Sequence, residues 1–190
     1  MKIKGPFLAM GTERLVLAYP TLDDCAAVLE YRKLNRDHLS AWEPLRSEEF
    51  YTTSSVELQM HDLVAQIANG TVVHWLIKRH GSLEVIGQCG FTNIVYGPFQ
   101  ACHLGFSLGQ RHQGSGLMFE ALKTAIPSVF QTHGLHRIMA NYQPENRRSE
   151  ILLQRLGFER EGLAKSYLKI NGRWSDHVLT SLINPRTIED

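Results

Sequence analysis

The stretch that decides the fold is Leu104–Ile126, "LGFSLGQRHQGSGLMFEALKTAI". Its first residues read as a β-strand. Gly109, Gly114 and Gly116 then break it, and an amphipathic helix follows. Glycine is favoured where the backbone needs a positive φ or where a ligand must come closer than a Cβ allows. The first amides of a helix lack intrahelical acceptors, and the helix dipole favours negative charge beside them. A strand, a basic glycine loop and a helix start therefore predict an anion cradle over residues 111–116, holding a phosphate-bearing ligand.

The loop has the form R-x-x-G-x-G, from Arg111 to Gly116. A bare G-x-G is common in turns, and its placement between strand and helix is what strengthens it. It lacks the third glycine and downstream acid of the dinucleotide fingerprint, and the Gly-Lys-Ser/Thr ending of a nucleoside-triphosphate loop. A diphosphate held by backbone amides and Arg111 remains.

Around this loop the chain alternates strands and helices. "ERLVLAYP" (Glu13–Pro20) reads as a first strand, and "TLDDCAAVLEYRKLN" as a helix opened by Thr21. "HLSAWEPL" (His38–Leu45) reads as a proline-punctuated connection. Val56, Met60, Leu63, Val64 and Ile67 share one face of a second helix ended by Asn69-Gly70. "TVVHWLIKR", "LEVIGQCGFTNIV" and "ACHLGFSL" form an antiparallel meander. A helix over 116–131 leads to the strand "HRIMANY". "ENRRSEILLQRLGF" is helical on the period of Ile151, Leu152, Arg155 and Leu156, with Gly157 at its C-cap. Asn171-Gly172 predicts a type I′ hairpin near the end.

With 190 residues and no linker, repeat or low-complexity tract, a single domain over 1–190 is expected. A net charge of +1 gives no sign of direct nucleic-acid binding. Cys25, Cys89 and Cys102 show no CxxC spacing, and the histidines show no paired-ligand spacing, so neither a metal nor a disulfide is expected. No apolar run is long enough for a signal peptide or a membrane span, and a cytoplasmic location is expected.

The second constellation is "NYQPENRRSEILLQRLGFEREG" (Asn141–Gly162). Asn146 and Ser149, three apart, project from one side of a helix's first turn. Taken alone, Asn146 is an ordinary N-cap and Ser149 a surface serine.

Together, a strand with R-x-x-G-x-G, then a strand with N-x-x-S and L-G-F, resemble the GNAT superfamily of N-acetyltransferases. The likeness covers nearly the whole chain. It is greatest to the group that acetylates ribosomal-protein N-termini, in "LSAWEP", "HRIMANYQPENRRS" and "NGRWSDHVLTSL". The resemblance implies an α/β (α+β) fold: a mixed, mostly antiparallel twisted sheet flanked by helices, with a V-shaped splay between two central strands. It implies acetyl-CoA as co-substrate, bound at Phe106, Ser107, Leu108, Arg111, His112, Gln113, Gly114, Ser115, Gly116 and Asn146. Backbone groups at 106–108 would polarise the thioester carbonyl. Ser149 would assist the departing thiolate by a hydrogen bond.

Related enzymes have a glutamate proposed as base in the segment matching Ala164–Leu168, where this chain reads "AKSYL". Glu43 and Asp176 are substitute bases by elimination only, Asp176 being placed also on the substrate side. Trp42 is the aromatic expected to meet an incoming peptide, while His74 and His103 are expected to pack or to line an acceptor pocket. The acceptor implied is the N-terminal amine, alanine first, of a small-subunit ribosomal protein, with the enzyme a monomer or homodimer. Two readings compete: acetylation of a small amine such as an antibiotic, toxin or polyamine, and a non-catalytic role in acyl-CoA binding or ribosome assembly.

Overall fold

A computed structural model describes residues 9–185. The residues before Ala9, part of the stretch in which no leader is expected, lie outside them. Alternating apolar residues build eight strands: β1 (Met10–Gly11), β2 (Leu15–Ala18), β3 (Val73–Arg79), β4 (Gly87–Val95), β5 (Ala101–Leu108), β6 (Arg137–Tyr142), β7 (Glu159–Ile170) and β8 (Arg173–Ile183). They form one sheet in the order β1-β2-β3-β4-β5-β6-β8-β7. Every neighbouring pair is antiparallel except β5 and β6. A parallel pair needs a crossover, and the helix α4 (Leu117–His133) supplies it.

Residues of β3 alternate between two cores, as the period of a strand requires. Trp75 and Ile77 join the larger core, and Leu76 the smaller one on the opposite face. The larger is closed by α4, whose Leu117, Ala121, Leu122, Ala125 and Val129 recur at helical spacing and are almost fully buried. Burying each such leucine contributes roughly 1.5–3 kcal/mol. The smaller is closed by α1 (Cys25–Leu34) and α3 (Thr53–Ala68) through Val28, Tyr31, Val56 and Met60. One layer of helices thus lies on each side of the sheet.

The feature that makes a site is where β5 and β6 stop pairing. Their register runs Ala101↔Arg137, Cys102↔Ile138 and His103↔Met139, and no further. Beyond it β5 continues along β4 to Leu108, and β6 continues along β8 to Tyr142. The two central strands therefore splay into the expected V, and the wall of β5 facing β6 carries no strand partner from Leu104 onward.

Several boundaries differ from the sequence expectation. The segment read as a connection from His38 begins as a short helix, α2 (Arg36–Ser40), because Asn35 ties α1 to the sheet. Its Nδ2 donates to the Tyr31 carbonyl at 2.8 Å, and its Oδ1 accepts from the Gln110 amide at 2.9 Å. The first strand is shorter than Glu13–Pro20 and pairs with β1, which periodicity over two residues cannot reveal. Helix α5 (Arg147–Arg155) is capped by Leu156, with Gly157 following at φ +87°, and its buried anchor is Leu153. Asn171 and Gly172 both have positive φ, at 43° and 78°, as a type I′ turn requires.

Candidate active site

Two cavities meet inside the V. One, of about 390 Å³, opens between β3–β5, the end of β6 and β8, with His74, Gln88 and His177 among its walls. The other, of about 530 Å³, lies between the glycine loop and α5. Six residues belong to both: Trp42, Glu43, Phe106, Ser107, Asn146 and Ser149. Residues far apart in sequence, and expected separately to carry chemistry, thus form one shared wall.

The glycine loop shapes the larger cavity. Gly114 and Gly116 have φ of +76° and +77°, and Gly116 is the N-cap of α4. Arg14 fixes the back of the loop: its Nη1 donates to the Ser115 carbonyl at 3.0 Å, while its Nε pairs with Glu120 at 2.6 Å. With that carbonyl turned to Arg14, the amides of Gly114, Ser115 and Gly116 have no backbone acceptor among the described residues. Free amides at a helix start, beside three arginines, fit a diphosphate.

Those arginines are Arg147, Arg148 and Arg155 of α5. Arg148 Nη1 donates to Gln113 Oε1, and Gln113 Nε2 donates to His38 Nε2 at 2.7 Å, so loop, α5 and α2 are stitched together. The guanidinium of Arg155 lies 4.3 Å from the centre of the Phe119 ring. Arg111 and His112 face a separate hollow beside Glu30, Val85 and Gly109 rather than this cavity. Arg111, the cation expected from the sequence, thus lines a different hollow, while Arg147, Arg148 and Arg155 line the cavity of the loop. The adjacent arginines of "ENRRS" are the sequence signal for this second set of cations.

Asn146 caps α5, its Oδ1 accepting the Ser149 amide at 3.1 Å. The structural role foreseen for it is real, and the same bond aims Ser149 at the shared wall. Tyr31 donates to Ser107 Oγ at 2.9 Å, which fixes the unpaired end of β5.

Glu43 is held by two long-range bonds that no local pattern shows. Its carbonyl accepts from the Asn171 amide at 2.9 Å, so the hairpin tip grips it. The neighbouring Ala41 carbonyl accepts from Gln143 Nε2 at 3.1 Å. The side chain is 28% exposed, with Arg46 Nε 4.0 Å from its carboxylate. Burial raises its pKa above the ordinary glutamate value, against the opposing pull of Arg46 and Arg32. Such a carboxylate is a better proton acceptor than a surface one.

Asp176 is not brought to the cleft. Its Oδ1 accepts from the Ser166 amide at 2.8 Å, bracing a bulge of β7 where Ser166 has φ of +47°. That bulge occupies the segment where related enzymes were expected to carry a base. On the acceptor side, burial lowers the His74 pKa to about 4, so its imidazole is neutral. A Cβ on Gly90 would lie 2.8 Å from His74 Nδ1, so the glycine makes room for the ring. His103 lines neither cavity, whereas His177, which sequence reasoning missed, is buried in the wall of the smaller one. Burial pushes the Cys89 and Cys102 thiols up to about 12, far from nucleophilic.

A cleft between splayed strands, with an amide-and-arginine anion cradle on one side and a half-buried carboxylate at the junction with the other, fits an acyl-CoA-dependent acyltransferase. Comparison with known proteins narrows that class. Residues 14–159 match the model of the acetyltransferase (GNAT) domain. Over 180 residues the chain is 43% identical to the [ribosomal protein uS5]-alanine N-acetyltransferase of Escherichia coli K12, covering 95% of this chain and 93% of that one. The crystal structure of ribosomal-protein-S5-alanine acetyltransferase from Vibrio fischeri superposes with a TM-score of 0.89 at 36% identity, over 94% of this chain and 97% of that one. Mycobacterium smegmatis RimJ in complex with CoA-disulfide gives 0.87 at 27% identity, over 94% and 88%. The chain belongs to the GNAT acetyltransferase family.

Proposed function

We propose that this chain, acting as a single domain, transfers acetyl from acetyl-CoA to the N-terminal amine of a small-subunit ribosomal protein, with alanine as the first residue. The wall shared by the two cavities carries the reading, because it lets a thioester on one side meet an amine on the other. The E. coli relative named for ribosomal protein uS5 supports the choice of acceptor.

The residues divide the work as follows. The loop amides of 114–116 with Arg148 and Arg155 hold the phosphates, and Asn146 and the unpaired edge of β5 orient the pantetheine arm. Glu43 takes a proton from the incoming ammonium, directly or through a water. The freed amine nitrogen bonds to the carbonyl carbon while backbone groups at Phe106–Leu108 stabilise the developing oxyanion. The carbon–sulfur bond then breaks, Ser149 donates a hydrogen bond to the leaving thiolate, and the thiolate takes up the second proton that the nitrogen sheds as the amide forms. Trp42 packs beside the acceptor chain.

A single half-buried carboxylate suits an α-amine better than a lysine. With pKa values of about 7.7–8.0 and 10.4, deprotonation at pH 7 costs about 1 and about 4.6 kcal/mol respectively. An Ala-initiated peptide should therefore be acetylated with kcat/KM that rises to about pH 8 and then flattens. An Nα-blocked peptide carrying lysines, or a free polyamine, should be a far poorer acceptor. Equal turnover of these would replace the proposal with acetylation of small amines.

A further inference from the structure

A third cavity, of about 510 Å³, opens behind the acceptor side of the cleft, between α1, α2, α3 and the sheet. It shares Glu43, Arg46, His74 and Gln88 with the acceptor cavity, so a chain entering the cleft can continue into it. Its character is set by arginines on aromatic rings. The guanidiniums of Arg32 and Arg46 lie 4.1 Å and 4.4 Å from the centre of the Phe50 ring. Arg36 lies 4.6 Å from that of Tyr51.

The three cations are not equally neutralised. Arg36 pairs with Glu48 at the outer end, beside Asp37. Arg46 has only the 4.0 Å approach to Glu43. Arg32 is half-buried and forms no ion pair among the described residues. Its Nη1 donates to the Phe50 carbonyl at 3.5 Å and its Nη2 to Gln59 Oε1 at 3.1 Å, both neutral acceptors. At the inner end two guanidiniums therefore share one carboxylate, and that carboxylate is the one given the work of a base. When Glu43 takes up the acceptor's proton, the inner end has no anion at all. A guanidinium withdrawn from water without a carboxylate is costly, and it is retained where an anion is to be bound.

We infer that this cavity is a subsite for an acidic side chain of the acceptor, held by Arg32 and Arg46 within the three residues after the acetylated amine. Three extended residues span about 10 Å, enough to leave the first cavity through the wall the two share. The aromatic rings hold the guanidiniums flat, and the neutral contacts of Arg32 fix its orientation while leaving donors for a carboxylate. The subsite thus selects among protein N-termini by their sequence as well as by their first residue. It rests on the proposed peptide acceptor and deepens it.

The test uses Ala-initiated hexapeptides with one glutamate, or one glutamine, at the second, third or fourth position. Binding to the CoA-loaded enzyme is measured by calorimetry, and acetylation separately. At one of the positions glutamate should improve both affinity and kcat/KM at least tenfold over glutamine, through KM. In Arg32→Gln that ratio should fall to within about twofold, and in Arg32→Lys it should be partly kept, since lysine retains the charge but not the fork. A CoA titration of each variant, which reads the far side of the cleft, shows whether it is folded. Equal glutamate and glutamine peptides in the wild-type enzyme, or a ratio that survives in folded Arg32→Gln, would overturn the subsite while leaving the acetylation reading intact. Peptides bound with the glutamate preference but never acetylated would do the reverse. Failure of every peptide to bind would remove both.

Discussion

Glu43→Gln should lower kcat/KM for an Ala-initiated peptide at least a hundredfold at pH 7, the range expected when a positioned base is removed. The motivation is its place at the junction of both cavities, pinned there through Asn171, with a pKa raised by burial. The variant should show the opposite effect on stability. A carboxyl whose folded pKa is raised favours the native state at acid pH, and that contribution is lost as pH rises through the folded value. Above the folded value the ionised Glu43 is therefore a cost that glutamine lacks, and the thermal midpoint of the variant, measured there, should equal or exceed that of the wild type. Asp176→Asn, by contrast, disturbs only the β7 bulge and should leave the chemistry nearly unchanged. Wild-type turnover by Glu43→Gln would return this residue to a structural role.

Gly116→Val should weaken CoA binding at least tenfold. Space is not the reason, because a Cβ there meets only Arg14 Nη2, at 3.7 Å. The reason is the φ of +77° at the first cap of α4, which a β-branched residue adopts only under strain. Relief of that strain must rotate the free amides of residues 114–116 away from the ligand. The body of α4 is anchored by its buried leucines and should survive, so circular dichroism should be unchanged. Unchanged CoA affinity in calorimetry would remove the loop from the site.

The contrast between these two residues shows what a sequence can disclose. Gly116 was readable because backbone chemistry is local: only glycine readily takes that φ, and a strand before it with a helix after it says why. The pairing of Asn146 with Ser149 was readable for the same reason, since an N-cap and the residue three later must face each other. The V between β5 and β6, in contrast, was expected from family resemblance, because nothing local marks where pairing stops.

Glu43 was reachable only by elimination, since its position depends on a bond to a turn 128 residues away, Asn171 to Glu43. Arg111 and Arg148 are equally basic in the sequence. Which one lines the cavity of the glycine loop depends on how the turn Gln110–His112 and the first turn of α5 are set by Asn35 and Asn146. The bond of Asp176 to Ser166 was not readable, because the bulge that takes its carboxylate appears only once β7 and β8 are in register. Arg32 carried no signal at all until α1, Phe50 and the sheet enclosed it.

Acetyl should pass from acetyl-CoA to the α-amine of a ribosomal protein chain. Small-subunit ribosomal proteins with free N-termini, incubated with the enzyme and isotopically labelled acetyl-CoA, test it most directly, with the label located by peptide mass spectrometry. Label is expected on the α-nitrogen of an N-terminal alanine, in one or very few proteins, and should be lost with Glu43→Gln. Label confined to lysine side chains, or absent from protein while a small amine is acetylated, would contradict it.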